Sequence, residues 1–72
     1  MFILLNAFTG KVDGPAKRPV TMSEERFAEV EIACHQGRAY DVAAAMLAIL
    51  DANKDHPDCF VLPEQHGAER AA

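Results

Sequence analysis

The side chains best suited to chemistry are two cysteines, Cys34 and Cys59, and three histidines, His35, His56 and His66. Cys34, His56, Cys59 and His66 make the best zinc set. His56-Pro57-Asp58-Cys59 leaves a two-residue gap from which a turn can chelate a tetrahedral ion, and a small fold gains stability from a bound metal. Against this, Cys34 falls in a helical apolar stripe and reads as a core thiol, and there is no Cys-x-x-Cys knuckle. The expectation is no metal and no cofactor. Cys34 and His35 are neighbours, and neighbours on a helix diverge by about 100°, so they do not make a nucleophile and its base. Ser23 reads as a helix cap. Glu24, Glu25, Glu29 and Glu31 read as a solvated helix face, and nothing places two carboxylates around a cleft. Phe8-Thr9-Gly10-Lys11 lacks the upstream glycine and the following hydroxyl of a phosphate loop. The residues point to no enzyme.

Binding is the remaining chemistry. Tyr40 is the only tyrosine, tryptophan is absent, and Tyr40 stands between Arg38 and Asp41 at a helix junction. Tyrosine and arginine are frequent hot spots at interfaces, so Arg38, Tyr40 and Asp41 are the expected partner-binding residues, although Tyr40 would also serve simply to close the corner.

The elements that hold these residues follow from pattern. Residues 2–8 are apolar and strand-compatible and run into Thr9-Gly10, which predicts a short N-terminal strand. Residues 10–19 carry Gly10, Gly14, Pro15 and Pro19 among charges and read as a mobile loop, with Val20-Thr21-Met22 as a possible second strand. Ser23 caps a first helix over about 23–36. Glu24 and Glu25 lie in its first turn, Met22 and Phe27 stand in the two positions of a hydrophobic staple, and Gly37 stops it. A second helix runs over about 40–53. Residues 59–62 are apolar and fenced by Pro57 and Pro63, giving a short C-terminal extended segment able to pair with the first strand, within the chain or across a dimer. The expected architecture is mainly α (α+β), a helical hairpin with short strands, in a single domain over residues 1–63; residues 64–72 have little to bury and read as a disordered tail.

The second helix carries the strongest signal. Residues 42–50 are all apolar, so no side of two and a half turns is polar, and such a helix must be covered on several sides. A 72-residue chain has one partner helix and a small sheet to offer. A second copy would supply the cover, with Ala44, Ala48 and Ala52 permitting close approach. The expected dimer interface is Val42, Ala44, Met46, Leu47, Ala48, Ile49 and Leu50.

Two cysteines are too few for a secreted disulfide framework, and the apolar start has no basic n-region and stops too early for a signal peptide or a span. A soluble, cytoplasmic protein is expected. The net charge of −4 disfavours general attraction to nucleic acid, although residues 1–22 hold Lys11, Lys17 and Arg18 against Asp13 alone.

Lys17-Arg18-Pro19-Val20-Thr21-Met22-Ser23-Glu24-Glu25-Arg26-Phe27, followed by Gln36-Gly37-Arg38-Ala39-Tyr40-Asp41-Val42, resembles the ribbon-helix-helix repressors and antitoxins over about residues 17–53. The resemblance implies an intertwined homodimer and a basic ribbon whose Lys17, Pro19 and Thr21 face outward; Lys11, Lys17, Arg18 and Thr21 are then the nucleic-acid candidates. Pro19 offers no donor to a base edge and removes a ladder hydrogen bond, and the turn between the helices is short for the family. The chain is also similar in size and style to small phage and mobile-element proteins that silence a host protein. The leading expectation is a homodimeric protein-binding module that modulates or inhibits a larger regulatory protein of the host or cognate system; the alternative is a DNA-binding repressor or antitoxin.

Overall fold

A computed structural model describes residues 1–64. In chain order these residues form β1 (Phe2–Asn6), β2 (Val12–Pro15), α1 (Glu24–His35), a 3-10 turn (Ala39–Val42), α2 (Ala43–Ala52) and β3 (Cys59–Pro63). The strands make one antiparallel sheet in the order β2-β1-β3, with both helices packed on one side of it. The described fold is α+β, and its sheet is too large a part of it for the expected mainly α description.

The difference arises at β2. Residues 10–19 hold two glycines and two prolines, and turn-forming composition hid a strand. Asn6 makes that strand possible. Its side-chain oxygen accepts from the backbone amides of Phe8 (2.9 Å) and Thr9 (3.0 Å), and its backbone amide donates to the Lys11 carbonyl (2.9 Å). Gly10 turns the corner at φ +70°, in the left-handed region that glycine enters without a Cβ clash. The chain then returns alongside β1, pairing Leu5 with Val12, Leu4 with Gly14 and Ile3 with Pro15, with an irregularity between Leu4 and Leu5 that takes up Asp13. The expected strand at Val20-Thr21-Met22 is instead a turn, closed by the Met22 amide on the Pro19 carbonyl (3.0 Å). Pro19 is buried and has no amide to give a ladder.

The C-terminal extended segment pairs with β1 inside the chain: Phe2 lies opposite Pro63, Leu4 opposite Val61 and Asn6 opposite Cys59. The expected tail, apart from Glu64, lies outside the described residues. The Glu64 amide is held by the Met1 carbonyl (3.0 Å) and the Glu31 carboxylate (3.1 Å).

Helix α1 starts as its sequence dictates. The Ser23 hydroxyl accepts from the Arg26 amide (3.1 Å), Glu24 and Glu25 complement the helix dipole, and Met22 and Phe27 both pack on the core. It ends in a Schellman motif: the Arg38 amide bonds the Ala33 carbonyl (2.8 Å), the Gly37 amide bonds that of Cys34 (3.1 Å), and Gly37 sits at φ +75°. The core between sheet and helices is Phe2, Leu4, Ala16, Val30, Ala33, Val42, Ile49 and Val61, with the Phe2 and Phe27 rings 5.2 Å apart. Among the described residues no helix is long and apolar enough to cross a membrane.

Candidate functional site

Among the described residues the candidate reactive groups are dispersed. Cys34 is half-buried, with its Sγ donating to the Met46 Sδ at 3.5 Å; burial, reinforced by the charge of Glu31, pushes its thiol up. Cys59 lies at the far end of the sheet, donating to Asp13 at 3.3 Å; desolvation and the neighbouring Asp13 and Asp58 carboxylates raise it as well. A raised thiol is mostly protonated at neutral pH and is a poor nucleophile. His56 faces Asp55 at 3.6 Å, and His66 lies outside the described residues. Among the described residues no group of three or more His, Cys, Asp or Glu side chains is placed to hold a metal.

Glu31 departs from the solvated helix face expected of it. It is buried on α1, and its carboxylate takes the Met1 amine at 2.5 Å and the Glu64 amide at 3.1 Å, tying β1 and the end of β3 to the helix. Burial pushes this carboxyl up, but those two hydrogen bonds, with the charges of the amine and of His35, outweigh it and hold Glu31 below the usual carboxylate range. This is a structural clamp.

The 3-10 turn and α2 divide the residues assigned to a dimer interface into three sets. Val42 and Ile49 belong to the chain's own core, so they are not free to meet a second copy. Met46 and Ala48 are half-buried. Ala44, Leu47 and Leu50 face solvent, together with Ala43 and Tyr40. Leu47 is 67% exposed and Tyr40 77%. One side of the all-apolar rod is covered by sheet and α1, and the other is not. Arg38, Tyr40 and Asp41 are brought together at the start of this open side: the Arg38 guanidinium bonds the Gln36 side chain (2.5 and 3.1 Å) and reaches Asp41 at 3.8 Å, leaving the phenol ring of Tyr40 outward.

Lys17, Arg18 and Thr21 line an open groove of about 420 Å3 with Pro19, Val20, Ala48, Asp51 and Ala52, against the flank of α2. Lys11 is in the β1–β2 turn and does not line it. Lys17 is engaged by Asp55 at 2.7 Å, and this hydrogen bond holds Asp55 below its ordinary range; Arg18 donates to the Met22 carbonyl. Val20, next to the buried Pro19, is almost wholly exposed.

Sequence reasoning missed the other open surface, the side of the sheet turned away from the helices. Register places Ile3 and Leu5 of β1, Val12 and Pro15 of β2, and Phe60 and Leu62 of β3 on that side. The signal was present: residues 2–5 and 59–62 are unbroken apolar runs, whereas an antiparallel strand with one wet face alternates.

No protein-family model, no curated protein and no solved structure matches this chain.

Proposed function

We propose that this chain is a non-enzymatic, homodimeric protein-binding module that modulates or inhibits a larger regulatory protein by laying the open side of α2 into an apolar groove of that partner. One observation carries the reading. Tyr40, Ala43, Ala44, Leu47 and Leu50 recur at the spacing of a single helix face, and all are exposed. Anchors spaced in this way are how an amphipathic helix is read by a groove. The rim supports it: Arg38 with Asp41, Lys17 with Asp55 and Lys54 with Asp51 surround the apolar row with paired charges, the arrangement of an apolar interface centre and a polar border. The raised thiols favour binding over catalysis.

The nucleic-acid alternative has Lys17, Arg18 and Thr21 along one groove in its favour. Within that groove Lys17 and Arg18 are already engaged, and the Asp51 carboxylate repels phosphate.

The test is capture from the native host with tagged wild-type protein, Leu47→Asp and Tyr40→Ala in parallel. The expected result is one protein retained in stoichiometric amount by the wild type, with at least tenfold less on each variant and unchanged circular dichroism. Equal capture by all three would overturn the assignment to α2.

A further inference from the structure

The outer side of the sheet is apolar at all six positions set by the register, Ile3, Leu5, Val12, Pro15, Phe60 and Leu62, and carries no charge there. Phe60 and Val12 are more than half exposed, and among the described residues no element lies over them. We infer that a second copy of this chain covers this face, sheet against sheet, and that self-association uses it rather than α2. The inference rests on the homodimeric part of the reading above and is independent of whether α2 binds a different protein.

Two observations select the occupant. The unbroken apolar runs in β1 and β3 are the pattern of strands buried on both faces, yet the chain buries one. The area sets the strength of the pair. Five residues of β1 span about 17 Å and three strands about 14 Å, so two such faces cover on the order of 500 Å2, the size of a weak, reversible contact that forms only at elevated concentration. The charge pattern then divides the two open surfaces. The α2 side is bordered by Arg38, Asp41, Asp51 and Lys17, as suits a partner that also exists free in water; the sheet face has no charge among its six positions, and homodimer interfaces are more apolar than those between proteins that exchange. A twofold axis makes such a face its own complement, with the sheets about 10 Å apart as in any β-sandwich. Residues 65–72 offer alanine as their only apolar side chain and so bring little to compete for this surface.

Sedimentation velocity across about 1–100 μM tests the assignment. The wild type is expected to sediment as a dimer at tens of micromolar. Leu5→Glu and Phe60→Glu are expected to weaken the dimer at least tenfold, and Leu47→Glu to leave it intact. Phe60 lies on an edge strand and is already exposed, so its variant keeps the test valid if Leu5→Glu fails to fold. A wild type that remains a single copy throughout would overturn the proposal, leaving the face to a different protein or to residues 65–72. A dimer that persists in a folded Phe60→Glu variant but dissociates in Leu47→Glu would overturn it too, by returning self-association to α2. The proposed function fails by a different result, equal partner capture by wild type and Leu47→Asp, so the two are separable.

Discussion

Asn53 and Lys17 exchange two hydrogen bonds across 36 residues of sequence. The Lys17 amide donates to the Asn53 Oδ1 at 2.7 Å, and the Asn53 Nδ2 donates back to the Lys17 carbonyl at 3.0 Å. The same Nδ2 reaches the Ile49 carbonyl at 2.8 Å, so one buried amide both finishes α2 and fastens the loop that carries Lys17, Arg18 and Val20 against it. Asn53→Ala therefore orphans three backbone groups at once. Leaving a buried polar group unpaired costs about 1–3 kcal/mol, and water reaches the Lys17 side, so a total loss of about 2–3 kcal/mol is expected. Urea denaturation measures it directly, and an effect below about 0.5 kcal/mol would show that the loop is not fastened by this residue.

The clamp on Glu31 makes stability depend on pH in a definite direction. Its native pKa lies below the ordinary value, so the unfolded chain binds the proton more readily than the folded one. The carboxylate's contribution is complete above the pH at which it titrates in the unfolded chain, and it disappears as pH falls through the lower native value. Glu31→Gln is expected to lose about 1–2 kcal/mol at neutral pH, discounted because the Met1 amine is partly exposed. The variant should also show a smaller drop in urea midpoint between neutral and acidic pH than the wild type does. Parallel drops in the two proteins would remove Glu31 from the acid response.

Local signals exposed much of this fold and little of its surfaces. Ser23, Glu24, Glu25 and Gly37 mark the ends of α1 because capping and chain reversal depend on a few neighbouring residues. Strand β2 escaped because its residues are those of a loop, and the structure that selects it, the Asn6 side chain gripping the turn, is written in a single polar residue upstream. Glu31 escaped because its partners, Met1 and Glu64, lie at the two ends of the described chain and are brought to it by strand pairing. The candidate surfaces divided in the same way. An unbroken apolar run marked α2 and residue type marked Tyr40, but neither could say which side of an all-apolar helix is covered, since that depends on which side meets the sheet. The sheet face required knowing that β1 is the central strand, a fact of topology that no window of sequence contains.

Gly37 supplies a test of backbone geometry separate from packing. It sits at φ +75°, and a Cβ added there meets no other atom within 4 Å. Any penalty in Gly37→Ala therefore comes from the left-handed backbone alone, about 1–2 kcal/mol. Thermal unfolding should show the corresponding fall in Tm with no change in partner capture, because Tyr40 remains outside the motif. A neutral substitution would mean that the turn relaxes to another conformation.

Ile49 and Leu47 are two residues apart on α2 and point in nearly opposite directions, one wholly buried and the other largely exposed. Their truncations should behave differently. Ile49→Ala opens a cavity in the core shared with Phe2, Val30 and Val61 and is expected to cost about 2–5 kcal/mol. Leu47→Ala removes a side chain that α1 and the sheet do not cover and should fall within about 0.5 kcal/mol of the wild type. The pair also probes what lies beyond a single copy. If α2 were closed against a second copy in the stable assembly, Leu47→Ala would lose the energy of a buried leucine too, and its Tm would depend on protein concentration differently from that of the wild type. A near-neutral Leu47→Ala that unfolds with the wild type's concentration dependence places α2 outside the self-interface and leaves its apolar row available to another protein.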